Sequence, residues 1–371
     1  MKLVAESGSW GTGPIAADPP AAAVLEVSGA VLSWTVDDPT GPGSTHVAFT
    51  DVEAAEWLWR VVGQAGHVAL LAALAGRVPE AGQIVDVAGV EPAPELLAPL
   101  RRLAVGHWLR RWWPASSRDG IVSLDAAVLD GELALLTVAA QDYFTDDTFD
   151  SDVADLLRPH RAALAALVGD GDPRVAELAR ACTELADDVG LARVPESALP
   201  EPQAARRRDD YALAAGSDSA ATSAEQVARG VGSLNWTAVP PGVFDAADRT
   251  VDWAIELSGA TATADVRVAI SAPVAGIEVR LRAGPFSAAG VLSAAGRASL
   301  PVVDAAGRPV PEVQAWNHDW TTTTVSVGAD VGDSEAGADV RRRLRDFARA
   351  RLARPAADAF LAESLAAESD Y

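Results

Sequence analysis

The residues best able to do chemistry stand together at Trp316-Asn317-His318-Asp319-Trp320, where an amide, an imidazole and a carboxylate are framed by two indoles. A histidine beside a carboxylate can move protons, but neighbouring residues on a strand point to opposite faces, so His318 and Asp319 can cooperate only if the chain turns there. The alternative is a structural loop anchored in the core by Trp316 or Trp320. A second polar group, Asp142, Asp146, Asp147, Asp150, Asp152 and Asp155, has the charge to hold a hard cation. It lacks the D-x-D-x-D-G frame of a calcium loop and is expected as a solvated acidic loop with helix-start aspartates. The histidines, His46, His67, His107, His160 and His318, show no H-E-x-x-H or other close ligand spacing, and Cys182 is the only cysteine, so neither a metal nor a cofactor is expected.

Lys2 is the only lysine, which removes P-loop, protein-kinase and Schiff-base chemistry, each of which needs an internal lysine. The glycines Gly8, Gly11 and Gly13 lack the preceding buried strand and following helix of a dinucleotide fingerprint and are expected in a terminal loop. No G-x-S-x-G elbow occurs, so a hydrolase would have to assemble its site from distant partners. No residue is assigned a catalytic role.

Two basic islands remain. In the first, Val105, Trp108, Leu109 and Trp112 fall at i, i+3, i+4, i+7 and define one helical face, accompanied by Arg101, Arg102, Arg110 and Arg111. Buried, this is a core helix whose arginines lie over rings or pair with acids; exposed, Trp108, Arg110, Arg111, Trp112 and Trp113 would make a protein-binding surface. The second, Arg341 to Arg354, carries seven arginines and one aspartate and is expected as the solvated face of a C-terminal helix.

The elements that must position these groups change character along the chain. Leu25, Val27, Leu32, Trp34, Val36, Val47 and Phe49 alternate and predict a small N-terminal sheet or hairpin. Thr50 and Glu53 have capping-box spacing and predict a helix from 51 that buries Trp57 and Val61. Residues 95–193 read as bundle helices: one stopped by Pro114, one after Ser123, then 151–168 and 172–188. Residues 194–230, rich in Pro, Ala, Ser, Asp and Arg, read as a flexible linker. From 231 to 330 the period becomes two, as in Val251, Trp253, Ile255 and Leu257, with further β-like pieces at 266–270, 277–281, 291–292, 298–303, 313–316 and 322–327, which predicts an antiparallel sandwich. Residues 331–371 return to helical spacing through Val340, Leu344, Phe347 and Leu352. The fold class expected is α+β multidomain: a small β element and helical bundle over 1–193, a sandwich-like domain, and C-terminal helices.

The formal charge of −22, from 52 acidic against 30 basic residues, opposes binding to nucleic acid or anionic membranes. No run reaches the roughly 18 apolar residues of a membrane span and the N-terminus lacks a signal-peptide core, so a cytoplasmic protein is expected.

The strings GHWLRRWWPAS (106–116) and LDAAVLDGELALLTVAAQDYFTDD (124–147) resemble those of actinobacterial accessory proteins encoded with a MoxR-type AAA+ ATPase, a von Willebrand factor A protein and a β-propeller partner. That resemblance covers these two segments only and carries no catalytic signature. It implies an accessory role beside an AAA+ ATPase and a von Willebrand factor A protein in a regulatory or defence assembly. The function expected is a non-enzymatic adaptor that binds other proteins, the bundle and the sandwich being two surfaces on the 194–230 linker that gain affinity through effective concentration. The alternatives are a hydrolase or other enzyme with a dispersed site near Trp316–Trp320 or the aspartates at 142–155, and small-molecule or carbohydrate binding through Trp236, Trp253, Trp316 or Trp320. The oligomeric state is open.

Overall fold

The computed structural model describes residues 1–6, 8–141, 143–144, 150–169, 171–191, 225–274, 276–332 and 334–369. They belong to two compact units, one drawn from Met1–Trp113, Leu124–Glu201 and Ala350–Tyr371, the other from Pro114–Ser123 and Pro202–Arg349. The units interleave along the chain, whereas a sequential division was expected: Pro114–Ser123, between two bundle helices, belongs to the second unit.

The first unit opens with a six-stranded antiparallel sheet. Its strands are β1 (Lys2–Glu6), β2 (Ser9–Thr12), β3 (Ala22–Val27), β4 (Ala30–Thr35), β5 (His46–Phe49) and β6 (Ile84–Asp86), in the order β3-β4-β5-β2-β1-β6. The alternating residues Leu25, Val27, Leu32, Trp34, Val36, Val47 and Phe49 are all buried. The sheet is larger than expected because the Gly8–Gly13 run is a hairpin and not a terminal loop. Gly8 makes the turn at φ 84, and Gly11 lies under His46, whose ring would stand 3.2 Å from an added Cβ. Strands of five and four residues, KLVAE and SWGT, are too short for their alternation to stand out in sequence.

Thr50 does not start a helix at 51. Asp51 Oδ1 instead accepts from the amides of Glu53 (3.0 Å) and Ala54 (3.2 Å), which folds a local turn, and α1 (Trp59–Leu74) follows a short 3-10 turn over Glu56–Leu58. Trp57 and Val61 are buried as the spacing predicts. The bundle comprises α2 (Ala98–Trp112), α3 (Ala126–Gln141), α4 (Asp150–Leu157), α5 (Arg161–Leu167) and α6 (Pro173–Asp188), with α9 (Leu361–Ser369) packed on α3. The helix expected over 151–168 is interrupted by a 3-10 turn at Arg158–His160, where Pro159 cannot donate a backbone hydrogen bond. Helix α3 is apolar around most of its circumference and so lies at the centre, with Leu129, Leu133 and Ala134 buried. Asp125 starts it, accepting from the amides of Ala127 and Val128.

The second unit contains two antiparallel sheets. One has the order β12-β9-β8-β7, from β7 (Gln226–Gly232), β8 (Val251–Ser258), β9 (Thr261–Val268) and β12 (Arg297–Pro301); the other, β11-β10-β13, comes from β10 (Glu278–Ala283), β11 (Phe286–Val291) and β13 (Thr324–Val327). Period-two burial gives each sheet one apolar face: Val251, Trp253, Ile255 and Leu257 on β8, Val279, Leu281 and Ala283 on β10. Two expectations are corrected. Residues 226–230 of the expected linker are part of β7, while 194–224 lie outside the described residues. Residues 313–316 are not a strand but part of α7 (Glu312–Asn317), which follows Pro311 directly; four residues of alternation do not separate strand from helix. Helix α8 (Glu335–Ala353) completes the fold.

Candidate functional site

The first basic island is engaged inside its own unit. Trp108 is 2% exposed and its Nε1 donates to Pro20 O at 2.6 Å, so it is a core residue and not part of a binding surface. Arg102 donates to Glu132 (2.5 Å) and to Asp358 O (3.3 Å), Arg101 donates to Asp358 (3.3 Å), and the Arg111 guanidinium lies 4.0 Å over the Trp112 ring. Trp112 and Trp113 are half-buried. Only part of the expected surface Trp108, Arg110, Arg111, Trp112 and Trp113 therefore faces solvent: Arg110 is exposed and its guanidinium is already held by Asp130.

Asp130 is the most buried acid of that group. It stands 3.0 Å from Arg110 Nε and 3.0 Å from His160 Nε2. Nearby, burial pushes the His107 imidazole below its ordinary pKa, reinforced by the Arg110 charge. A His–Asp pair needs a nucleophile for acyl chemistry, and Cys182, buried beside Gly131, is held as a thiol: burial, with the Glu132 charge, pushes its pKa up to about 12. The arrangement acts as a polar rivet between α2, α3 and the 158–160 turn.

The Trp316–Trp320 tract turns, as cooperation of its polar groups requires, but each group has a structural task. Asn317 Nδ2 donates to Val313 O (2.8 Å). His318 stacks edge-on between Phe286 and Trp320, with both ring centroids at 4.7 Å. Asp319 caps the 3-10 turn Trp320–Thr322, accepting from Thr321 Oγ1 (2.7 Å) and Thr321 N (2.9 Å), and these bonds hold its carboxyl below the usual range. Trp320 is buried and donates to Ala315 O. Trp316 is 45% exposed beside exposed Val313. A carbohydrate platform of coplanar exposed indoles is not formed by Trp236, Trp253, Trp316 and Trp320, because all but Trp316 are buried.

The second basic island is not a wholly solvated face. Arg341 and Arg345 are buried, along with Leu344 and Ala348. Arg345 pairs with Asp119 (3.1 Å) and Asp248 and donates to Ala246 O (3.3 Å), while Arg349 pairs with Asp119 (3.0 Å) and Asp346 (2.8 Å). Beside them Asp245 is buried. Desolvation pushes its pKa up, but hydrogen bonds from Ser116, Ala247 and Ser117 outweigh that and hold it below the ordinary carboxylate value. Of the expected acidic loop, Asp142, Asp146 and Asp147 lie outside the described residues; Asp155 pairs with Arg158 (2.5 Å). Among the described residues no group of three His, Cys, Asp or Glu could hold a metal ion.

One constellation escaped sequence reading. The outer face of the β7-β8-β9 sheet forms an open cleft of about 600 Å³. Strand register places Arg229, Ala254 and Asp265 in one cross-strand row and Val231, Asp252 and Arg267 in the next, with Gln226 opposite Glu256 beyond. Ala254 thus floors a cleft walled by charges of both signs, and Arg249 lines its end. Arg249 is the only non-glycine at positive φ (60°) among the described residues, pinned by Ser233 Oγ on its amide and by Arg118 on its carbonyl. Arg229, Arg249, Asp252 and Glu256 make no ion pair among the described residues; Arg267 reaches Asp265 only at 3.8 Å. The polar members of alternating strands signal nothing beyond a wet face in sequence, and only the register brings them together. No family model, curated protein or solved structure matches this chain.

Proposed function

We propose that this chain is a non-enzymatic adaptor that binds other proteins. One observation carries the reading: Arg102 and Arg110 of the first basic island, Arg345 of the second and Asp319 of the 316–320 tract are engaged in internal pairs and caps, whereas Arg229, Arg249, Asp252 and Glu256 make no ion pair among the described residues and stand around an open cleft. Charges held apart in one concave face give orientation and partner discrimination on binding. On the resemblance of 106–116 and 124–147, the partner would be an AAA+ ATPase or the von Willebrand factor A protein encoded with it. Residues 106–112 lie in α2 and 126–141 make up α3, where Trp108 and Leu133 are core, so the resemblance speaks to the bundle and leaves the contact surface to be found elsewhere.

The test is affinity capture by the tagged full chain from lysate of its source cell, beside the double variant Arg229→Glu/Glu256→Arg, which keeps net charge and exchanges the two signs. A stable stoichiometric partner that the folded variant loses supports the adaptor; a solitary protein in repeated captures contradicts it.

A further inference from the structure

We propose that the cleft over β8 receives an extended peptide segment of a partner, added as a strand to the free edge of β7 and carrying a carboxylate and a cation two residues apart on the face turned to the cleft. This rests on the adaptor reading and names the partner chemistry at the same site.

The edge is available. Strand β7 is hydrogen-bonded to β8 and, among the described residues, to nothing on its other side, and none of its residues is buried. Four of its residues, Gln226, Arg229, Gly230 and Val231, line the cleft. Gly230 cannot be replaced by a larger residue without meeting the Trp253 ring, which would lie 2.4 Å from an added Cβ, so this indole packs directly against β7. An added strand would lie ~4.8 Å beyond β7, with alternate side chains over the cleft.

The charges choose the occupant. From Asp252 to Glu256 along β8 is roughly 13 Å at strand rise, too long for a free amino acid but matched by four or five extended residues. A carboxylate on the added strand would face Arg229. A cation two residues away would reach past Val231 to Asp252, or past Gln226 to Glu256, neither of which has an ion pair among the described residues. A purely anionic ligand would meet those acids, and a second copy of this chain would bring another −22 charge to the edge.

The probe is a random heptapeptide display library selected against the immobilised full-length chain, followed by fluorescence anisotropy of selected peptides. Expected are sequences of alternating β-branched residues with an acid and a base two apart, whose affinity falls about tenfold or more with Arg229→Glu and is unchanged with Arg158→Glu, at an exposed pair elsewhere. The amides on the free side of β7 should gain hydrogen-exchange protection in the complex. No enrichment above background, or selected peptides indifferent to Arg229→Glu, would overturn the proposal, as would a concentration-dependent dimer of the free chain that Val231→Pro abolishes, which would make a second copy the occupant. If these fail while a captured partner is still retained by the folded chain, the strand-addition site falls and the adaptor reading stands.

Discussion

Helix α2 and the β7-β8-β9 sheet both carry arginines close to a buried indole, yet their charges have different fates. On α2, Arg101, Arg102 and Arg110 each meet a carboxylate from a neighbouring helix or the C-terminal segment within 3.3 Å, and Trp108 is sealed in the core. On the sheet, Arg229 is directly opposite Ala254 and diagonal to Asp252 and Glu256, and among the described residues it makes no ion pair with either. A dense run of arginine and tryptophan in sequence therefore marks a well-packed helix here, and the scattered charges of an ordinary strand mark the open surface.

Breaking an internal pair should cost most. Arg345→Ala leaves Asp119 and Asp248 without their shared cation in a partly buried setting and should lower stability by about 3 kcal/mol, measured by denaturant melts; Arg345→Met, removing charge but keeping bulk, tests whether packing alone sustains α8. Next, Gly106→Ala places a methyl 2.1 Å from Leu133 Cδ1 and 2.6 Å from Phe360 Cζ, and overpacking of this kind costs about 2 kcal/mol, read as a lower melting temperature.

The two units should also part in their response to acid. His107 is held neutral by burial, its folded pKa below the ordinary value near 6.5; its contribution is present above that value and is lost as pH falls through the folded pKa. Asp245 is likewise depressed, but from a carboxylate value near 3.8, so its contribution persists until the medium is far more acidic. The melting temperature should therefore begin to fall below about pH 6.5, and His107→Gln should remove that early decline while leaving the fall at carboxylate pH. A decline identical in the variant would dissociate His107 from it. Smallest of all, Arg229→Glu should change stability by less than about 0.5 kcal/mol, since nothing internal depends on that guanidinium.

Period and punctuation exposed much of this architecture. The alternation of Val251, Trp253, Ile255 and Leu257, the stop at Pro114 and the Asp172–Pro173 start of α6 each appear where local physics puts them. Local signals failed where a nonlocal partner decides. The β1–β2 hairpin depends on β5 and β6 for its pairing. At Thr50–Glu53 one local signal beat another, Asp51 taking the amides of Glu53 and Ala54 before a helix could be capped. His318 and Asp319 looked chemical because their types are, but Phe286, distant in sequence, makes His318 a packing residue. The cleft was illegible because Arg229, Asp252, Glu256 and Arg267 converge only through strand register.

The most direct test of the account is whether the cleft charges can be exchanged without harm to the fold but not without harm to binding. Melting and partner capture should be measured together on Arg229→Glu/Glu256→Arg. The account predicts a wild-type melting curve with the captured partner lost; an unfolded variant, or a folded one that keeps its partner, would contradict it.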